Sequence, residues 1–283
     1  MDKKEIIAGL QQLKNLPGAR VMVHSSLRSF GQVEGGARTV ISALMDVITP
    51  QGTLMMPSFN HATAFEDGAP GVYDPEETPT INGAIPDLFW RLPGVRRSLD
   101  PTHPIAAWGQ DSLRYTQFHH RTLTMGLQSP LGMLYQDGGW GLLLGVGYGS
   151  NTFHHVVETA LAAPCLGLRS EAYPVRLRDG KIVLGRTWGW REGACPFTDQ
   201  SAYPEIMEKL GLHQVEDIGS CRATFFKLKD CFDVIAELLQ HGKDGVPGCH
   251  GCPIRPRRDK HTVEPDWDSQ NQRLLPESIA WDY

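Results

Sequence analysis

His155 and Glu158 lie three residues apart, so on a helix they would share one face. A carboxylate beside an imidazole orients the ring and raises its basicity, the arrangement that general-base catalysis uses. The same spacing also occurs by chance, as a surface pair on an ordinary helix. The preceding residues favour a site. Gly141-Leu-Leu-Leu-Gly-Val-Gly147 reads as a buried strand, followed by a turn through Gly149, Ser150 and Asn151 and then a helix over 152–162. Asn151 or Thr152 suits the N-cap, since either side chain can accept a first-turn N–H. Gly145-Val-Gly-Tyr-Gly149 does not match the dinucleotide fingerprint, and these glycines read as clearing space for a substrate near His155.

A second constellation is His24-Ser-Ser-Leu-Arg-Ser-Phe-Gly31 followed by Glu34-Gly-Gly-Ala37. A strand, a polar loop and a Gly-Gly helix start could make an anion cradle or merely an N-terminal turn that binds nothing. It contains no G-K-[ST], so it is not a Walker loop. His103, in Asp100-Pro-Thr-His103, could bind a ligand or cap its loop. His119 and His120 read as surface. Asp199 could contact an amine or cap the helix that follows. Of the six cysteines, only Cys249-His-Gly-Cys252 is a tight cluster. A zinc site would need two more ligands from Cys195, His250 or His241. No second C-x-x-C is present, so we expect a thiol-containing turn and no metal.

The wider chain must position these residues. It has 283 residues, 41% of them apolar, enough for a sizeable core. Its net charge of −5, from 27 basic and 32 acidic residues, argues against nucleic-acid binding. The first ten residues do not read as a signal peptide and no apolar run could span a membrane, so a cytoplasmic protein with reduced thiols is expected. Helix 3–14, strand 20–24, helix 38–48 and strand 53–57 form a parallel α/β unit. Residues 58–82 read as a long functional loop. Beyond it come a helix near 82–91, strand 105–108, helix 129–135, a hairpin about Asp179-Gly180, helix 203–210, one strand over 218–226 and helix 231–240. The tail 243–283 lacks a clear period.

In this order, several of these motifs resemble the aminoglycoside 3-N-acetyltransferase family over roughly residues 5–240. The motifs are Val23-His-Ser-Ser-Leu-Arg-Ser-Phe-Gly31, Val33-Glu-Gly-Gly-Ala37, Gly52-Thr-Leu-Met-Met-Pro57, Arg97-Ser98, Ala106-Ala-Trp-Gly109, Ser129-Pro-Leu131, Leu144-Gly-Val-Gly147 and Asn151-Thr-x-x-His-x-x-Glu158. The resemblance implies an α/β/α sandwich with a central mixed sheet, in one domain over 1–242 with a separate tail. It implies acetyl transfer from acetyl coenzyme A to the 3-amino group of an aminoglycoside, with His155 as base and Glu158 orienting it or helping to hold the amine. A different small amine, or coenzyme binding without turnover, are the alternatives; a zinc hydrolase using His154, His155, Glu158 and the cysteines is a third. The resemblance places the coenzyme against His24, Ser25, Ser26, Leu27, Arg28, Ser29, Val33, Gly35, Gly36, Ala37, Ser98, His103 and Thr152. Insertions at about 58–82 and 165–200 would frame the acceptor, with Glu66, Asp67, Asp74 and Asp199 facing its ammonium groups. No nucleic-acid or membrane partner is implied, and the protein would be a monomer or homodimer.

Overall fold

A computed structural model of the chain describes residues 1–166, 172–187, 191–200, 202–256, 267–268 and 273–274. Nine strands account for most of the described sheet structure: β1 (Arg20–Ser25), β2 (Thr53–Pro57), β3 (Arg96–Arg97), β4 (Ile105–Gly109), β5 (Trp140–Leu144), β6 (Ala172–Arg176), β7 (Ile182–Arg186), β8 (His213–Ile218) and β9 (Cys221–Lys227). The helices are α1 (Lys3–Leu10), α2 (Ala37–Ile48), α3 (Ala84–Trp90), α4 (Ser112–Thr116), α5 (Pro130–Gln136), α6 (His154–Ala160), α7 (Ala202–Lys209) and α8 (Leu228–His241). Seven strands form one sheet in the order β3-β4-β2-β1-β5-β9-β8. Strand β1 runs parallel to β2 and β5, while β4, β9 and β8 join antiparallel, so the sheet is mixed.

The pleat divides the core into two layers. Val21 and Val23 face one side of β1 with Leu54, Met56, Leu142 and Leu144, and there α1, α2 and α3 pack. Met22, Met55 and Leu143 face the other side, against Leu131, Val156, Tyr203 and Leu238 from α5, α6, α7 and α8. This is the expected α/β/α sandwich. His24 follows Met22 by two residues, so alternation sends it toward the α6 layer.

Parallel pairing puts the C-terminal ends of β1, β2 and β5 on one edge of the sheet. The antiparallel β4 brings the start of its strand, and His103 before it, to that same edge. Loops following such strand ends are where open α/β sheets place ligands. The 58–82 loop is firmly anchored. Tyr73 is fully buried and its hydroxyl donates to the Ser98 carbonyl at 2.9 Å. Buried Arg97 donates to the carbonyls of Ser58, Pro75 and Thr78. The β6–β7 hairpin joins this loop through the Tyr73–Val175 bridge, so the two excursions form one unit.

The structure revises three expectations. The single strand expected over 218–226 is the hairpin β8–β9, turning at Gly219, which has positive φ. Strand β8 escapes notice because, until Ile218, its residues are half-buried or exposed and show no clean alternation. Helix α6 starts at His154, with Asn151 accepting the Phe153 N–H one step earlier in place of a direct N-cap. Gly145 does not clear space for a substrate: a Cβ there would lie 1.7 Å from Ser29 Oγ, so it admits the 27–30 turn against the end of β5. Gly147 and Gly149 do face open space. Described residues beyond 242 also pack against the core, Cys249 and Ile254 among them.

Candidate active site

The expected pair is formed. His155 Nδ1 lies 2.8 Å from Glu158 Oε2 at the start of α6. Glu158 is fully buried, so its carboxylate needs partners. Arg191 Nη1 donates to Oε1 at 2.8 Å, and the Thr198 hydroxyl donates to the same oxygen. Arg191 is held in turn by Asp199 Oδ2 at 2.5 Å, which also accepts the Cys195 N–H at 2.7 Å. Burial alone would push the Glu158 carboxyl up. The charges and hydrogen bonds of the surrounding histidines and Arg191 outweigh it and hold the group at about 2.

Histidines surround this pair. His154 Nε2 stands 3.2 Å from His155 Nε2. His24 Nε2 lies 3.4 Å from the Thr152 hydroxyl, joining the end of β1 to the start of α6. His103 packs at a tilt against Phe59 and edge-on against His61, with ring centroids 4.9 and 4.7 Å away, and shares a hydrogen bond with Thr102. Burial pushes His24 down to about 4. Burial, then neighbouring imidazoles, also hold His103 and His154 well below the usual range. His24, His103 and His154 are therefore neutral imidazoles beside the Glu158 carboxylate and the Arg191–Asp199 pair.

The polar loop after β1 runs beside this cluster. The Ser26 N–H is used by the Leu144 carbonyl, and Ser29 Oγ donates to Ser26 O. Ser25 Oγ is buried with no hydrogen-bond partner among the described residues. Arg28 is exposed and Leu27 half-buried. A groove of about 460 Å³ opens next to the loop, lined by Ser29, Gly147, Tyr148, Glu208, His213 and Arg222. Val33 and Ala37 pack on the core under α2, while Gly35 and Gly36 take positive φ.

Other expected residues lie elsewhere. Ser98 is fully buried and its hydroxyl serves Ile105 N–H and His119 Nδ1, so it has no face for a coenzyme. His119 and His120, expected at the surface, are buried. Asp74 pairs with Arg176 at 3.0 Å and accepts the Glu76 N–H; Glu66 and Asp67 are exposed on their loop. Asp199 is committed to Arg191. Arg191 itself escaped the reading because its partners lie 33 residues and 8 residues away, with no periodic pattern to link them. Cys165, Cys195, Cys249 and Cys252 converge with Glu158 on one small cavity, so the tail packs behind the carboxylate. Among the described residues, no group of three or more histidine, cysteine or acidic side chains could hold a metal ion, and no helix could cross a membrane.

Known proteins share both fold and sequence. The model of the aminoglycoside 3-N-acetyltransferase family matches residues 22–240. The chain is 32% identical to the prophage-derived aminoglycoside N(3')-acetyltransferase-like protein YokD of Bacillus subtilis (strain 168), over 82% of this chain and 89% of that one. The crystal structure of YokD superposes with a TM-score of 0.73 at 31% identity, covering 83% of this chain and 92% of YokD. A solved complex of a variant of AAC(3)-IVa with a gentamicin gives a TM-score of 0.69 at 28% identity, covering 84% of this chain and 88% of that one. A mixed-sheet α/β/α acyltransferase with a histidine–carboxylate pair at the parallel strand ends is the class that fold and site define. The chain belongs to the aminoglycoside 3-N-acetyltransferase family.

Proposed function

We propose that this protein transfers an acetyl group from acetyl coenzyme A directly to a primary amine, with His155 as general base. The contact between His155 and an ionised, Arg191-anchored Glu158 carries the proposal. Because the carboxylate is anionic, Nδ1 of His155 bears the proton it donates, and Nε2 carries the basic lone pair. The amine nitrogen attacks the thioester carbonyl carbon while Nε2 takes an N–H proton. The carbonyl pair moves onto oxygen, giving an oxyanion. Its collapse breaks the C–S bond and expels coenzyme A thiolate, which takes the amine's proton from the imidazolium. Backbone N–H groups of the Ser25–Leu27 or Gly147–Thr152 turn stabilise the oxyanion. No cysteine stands against His155 to form an acyl intermediate, among the described contacts.

The coenzyme's arm runs along the groove beside Ser29, Gly147 and Tyr148, with its phosphates toward Gly35-Gly36-Ala37. The acceptor is an aminoglycoside, acetylated at its deoxystreptamine 3-amino group; family membership and the gentamicin complex of AAC(3)-IVa support this. A second reading is a smaller, less cationic amine. It is favoured by the loss of two expected ammonium ligands, Asp74 and Asp199, to arginines.

The test is thiol release from acetyl coenzyme A with aminoglycosides, simple polyamines and amino-acid amides, in wild type and His155→Ala. Aminoglycoside-dependent release, lowered about a hundredfold in the variant with coenzyme affinity kept, is expected. Turnover unchanged in the variant would remove His155 from the chemistry. Release with simple amines alone would establish the second reading.

A further inference from the structure

The proposed mechanism assigns no part to His154, although its ring is almost fully buried against the base. Its protonation can be read from its neighbours. As the base proposed above, His155 donates from Nδ1 to the anionic Glu158 and carries a lone pair on Nε2. His154 Nε2 stands 3.2 Å from that nitrogen. Two bare nitrogens at that distance would repel, so His154 must carry its proton on Nε2 and donate. Its Nδ1 is then a bare lone pair, and that atom is buried with no hydrogen-bond partner among the described residues. The two rings thus form an ordered chain, His154 N–H to His155 to Glu158.

We infer that His154 is a positioning residue that fixes the tautomer of His155 and holds its reactive lone pair until an amine displaces it. When the amine N–H takes over that lone pair, the His154 N–H can turn to Asp199 Oδ1, 3.7 Å away. The groups facing His154 are His155 and Glu158 on its own helix, His24 on β1, Arg191 and Asp199 on the 191–200 segment, and Tyr203 on α7. A hydrogen bond donated to the neutral form of the base opposes its protonation.

The inference rests on the base reading above, and one experiment separates the two. We would measure kcat/KM against pH for wild type, His154→Leu, His154→Gln and His155→Ala, with melting curves to confirm folding. His154→Leu removes the donor, so the acidic limb should move to higher pH by about one unit, the worth of one hydrogen bond. His154→Gln keeps a donor and should return the limb toward wild type. A limb unmoved in both His154 variants, with His155→Ala inactive, would overturn the role of His154 alone. Turnover retained in His155→Ala would overturn the base reading itself. Should the leucine variant fail to fold, nitrogen-15 NMR of labelled histidines in the wild type decides. Protonated Nε2 and bare Nδ1 on His154 are expected, and the opposite tautomer would overturn the inference.

Discussion

At the residue scale, Glu158 is the centre of the site. Its carboxylate meets His155 on one oxygen and Arg191 and Thr198 on the other. This division lets it hold a base in place without being neutralised by a proton. Glu158→Gln would remove an anion that favours the imidazolium, so the acidic limb of the kcat/KM profile should move to lower pH. It would also weaken the bond from the buried Arg191 guanidinium, which keeps Asp199 as its partner, a loss of about 2 kcal/mol in stability. Both effects should appear together in a pH–rate profile and a urea titration. A limb that stays in place would mean that Glu158 is structural only.

At the element scale, the site depends on three strand ends and the turns that follow them. The 27–30 turn can sit on β5 only because position 145 lacks a side chain and holds φ at +65°. Gly145→Ala should therefore cost on the order of 2–4 kcal/mol, from the overlap with Ser29 and the left-handed backbone together. Adding Ser29→Gly should restore the overlap part and leave the backbone part, as read by denaturant midpoints. Equal losses in both backgrounds would show that the contact with Ser29 is not the cause. Gly36, by contrast, has open space around its Cβ position but φ of +59°. A substitution there should strain the backbone and weaken coenzyme binding, measured by titration calorimetry; unchanged affinity would refute the cradle.

These elements also show how much could be read in advance. Strands β1, β2, β4 and β5 and helices α2, α3, α5 and α6 follow from apolar runs, periodicity and glycine or proline stops, because local patterns encode them. The β6–β7 hairpin follows from Asp179-Gly180. Strand β8 and Arg191 do not, because burial across distant segments defines them. Among acidic residues, the roles of Asp74 and Asp199 turned on which arginine reached them first, a tertiary matter.

At the scale of the whole molecule, several buried histidines are held neutral. His24 is at about 4 folded against 6.5 unfolded, so the unfolded chain binds its proton first as pH falls. Its contribution is complete above pH 6.5 and is lost as pH drops toward 4. At pH 5 the loss from His24 alone is on the order of 2 kcal/mol. His103 and His154 act in the same direction. Glu158, at about 2 folded against 4.5, contributes fully above 4.5 and loses that below it. Urea midpoints should thus fall between pH 7 and 5, then further below 4.5. His24→Asn should flatten the first slope; an unchanged slope would show that His24 is solvated or charged in the fold.

By itself the sequence determined the alternation of strands and helices, the family motifs and the His155–Glu158 spacing, because each is written within a few consecutive residues. Only the tertiary structure decided which groups surround that pair: Arg191 and Asp199 from 33 or more residues away, His24 from β1, His103 from the segment before β4, and the tail's cysteines behind the carboxylate. The physical reason is that a buried carboxylate must be satisfied by whatever donors the packing brings to it, and packing joins segments that no local pattern connects.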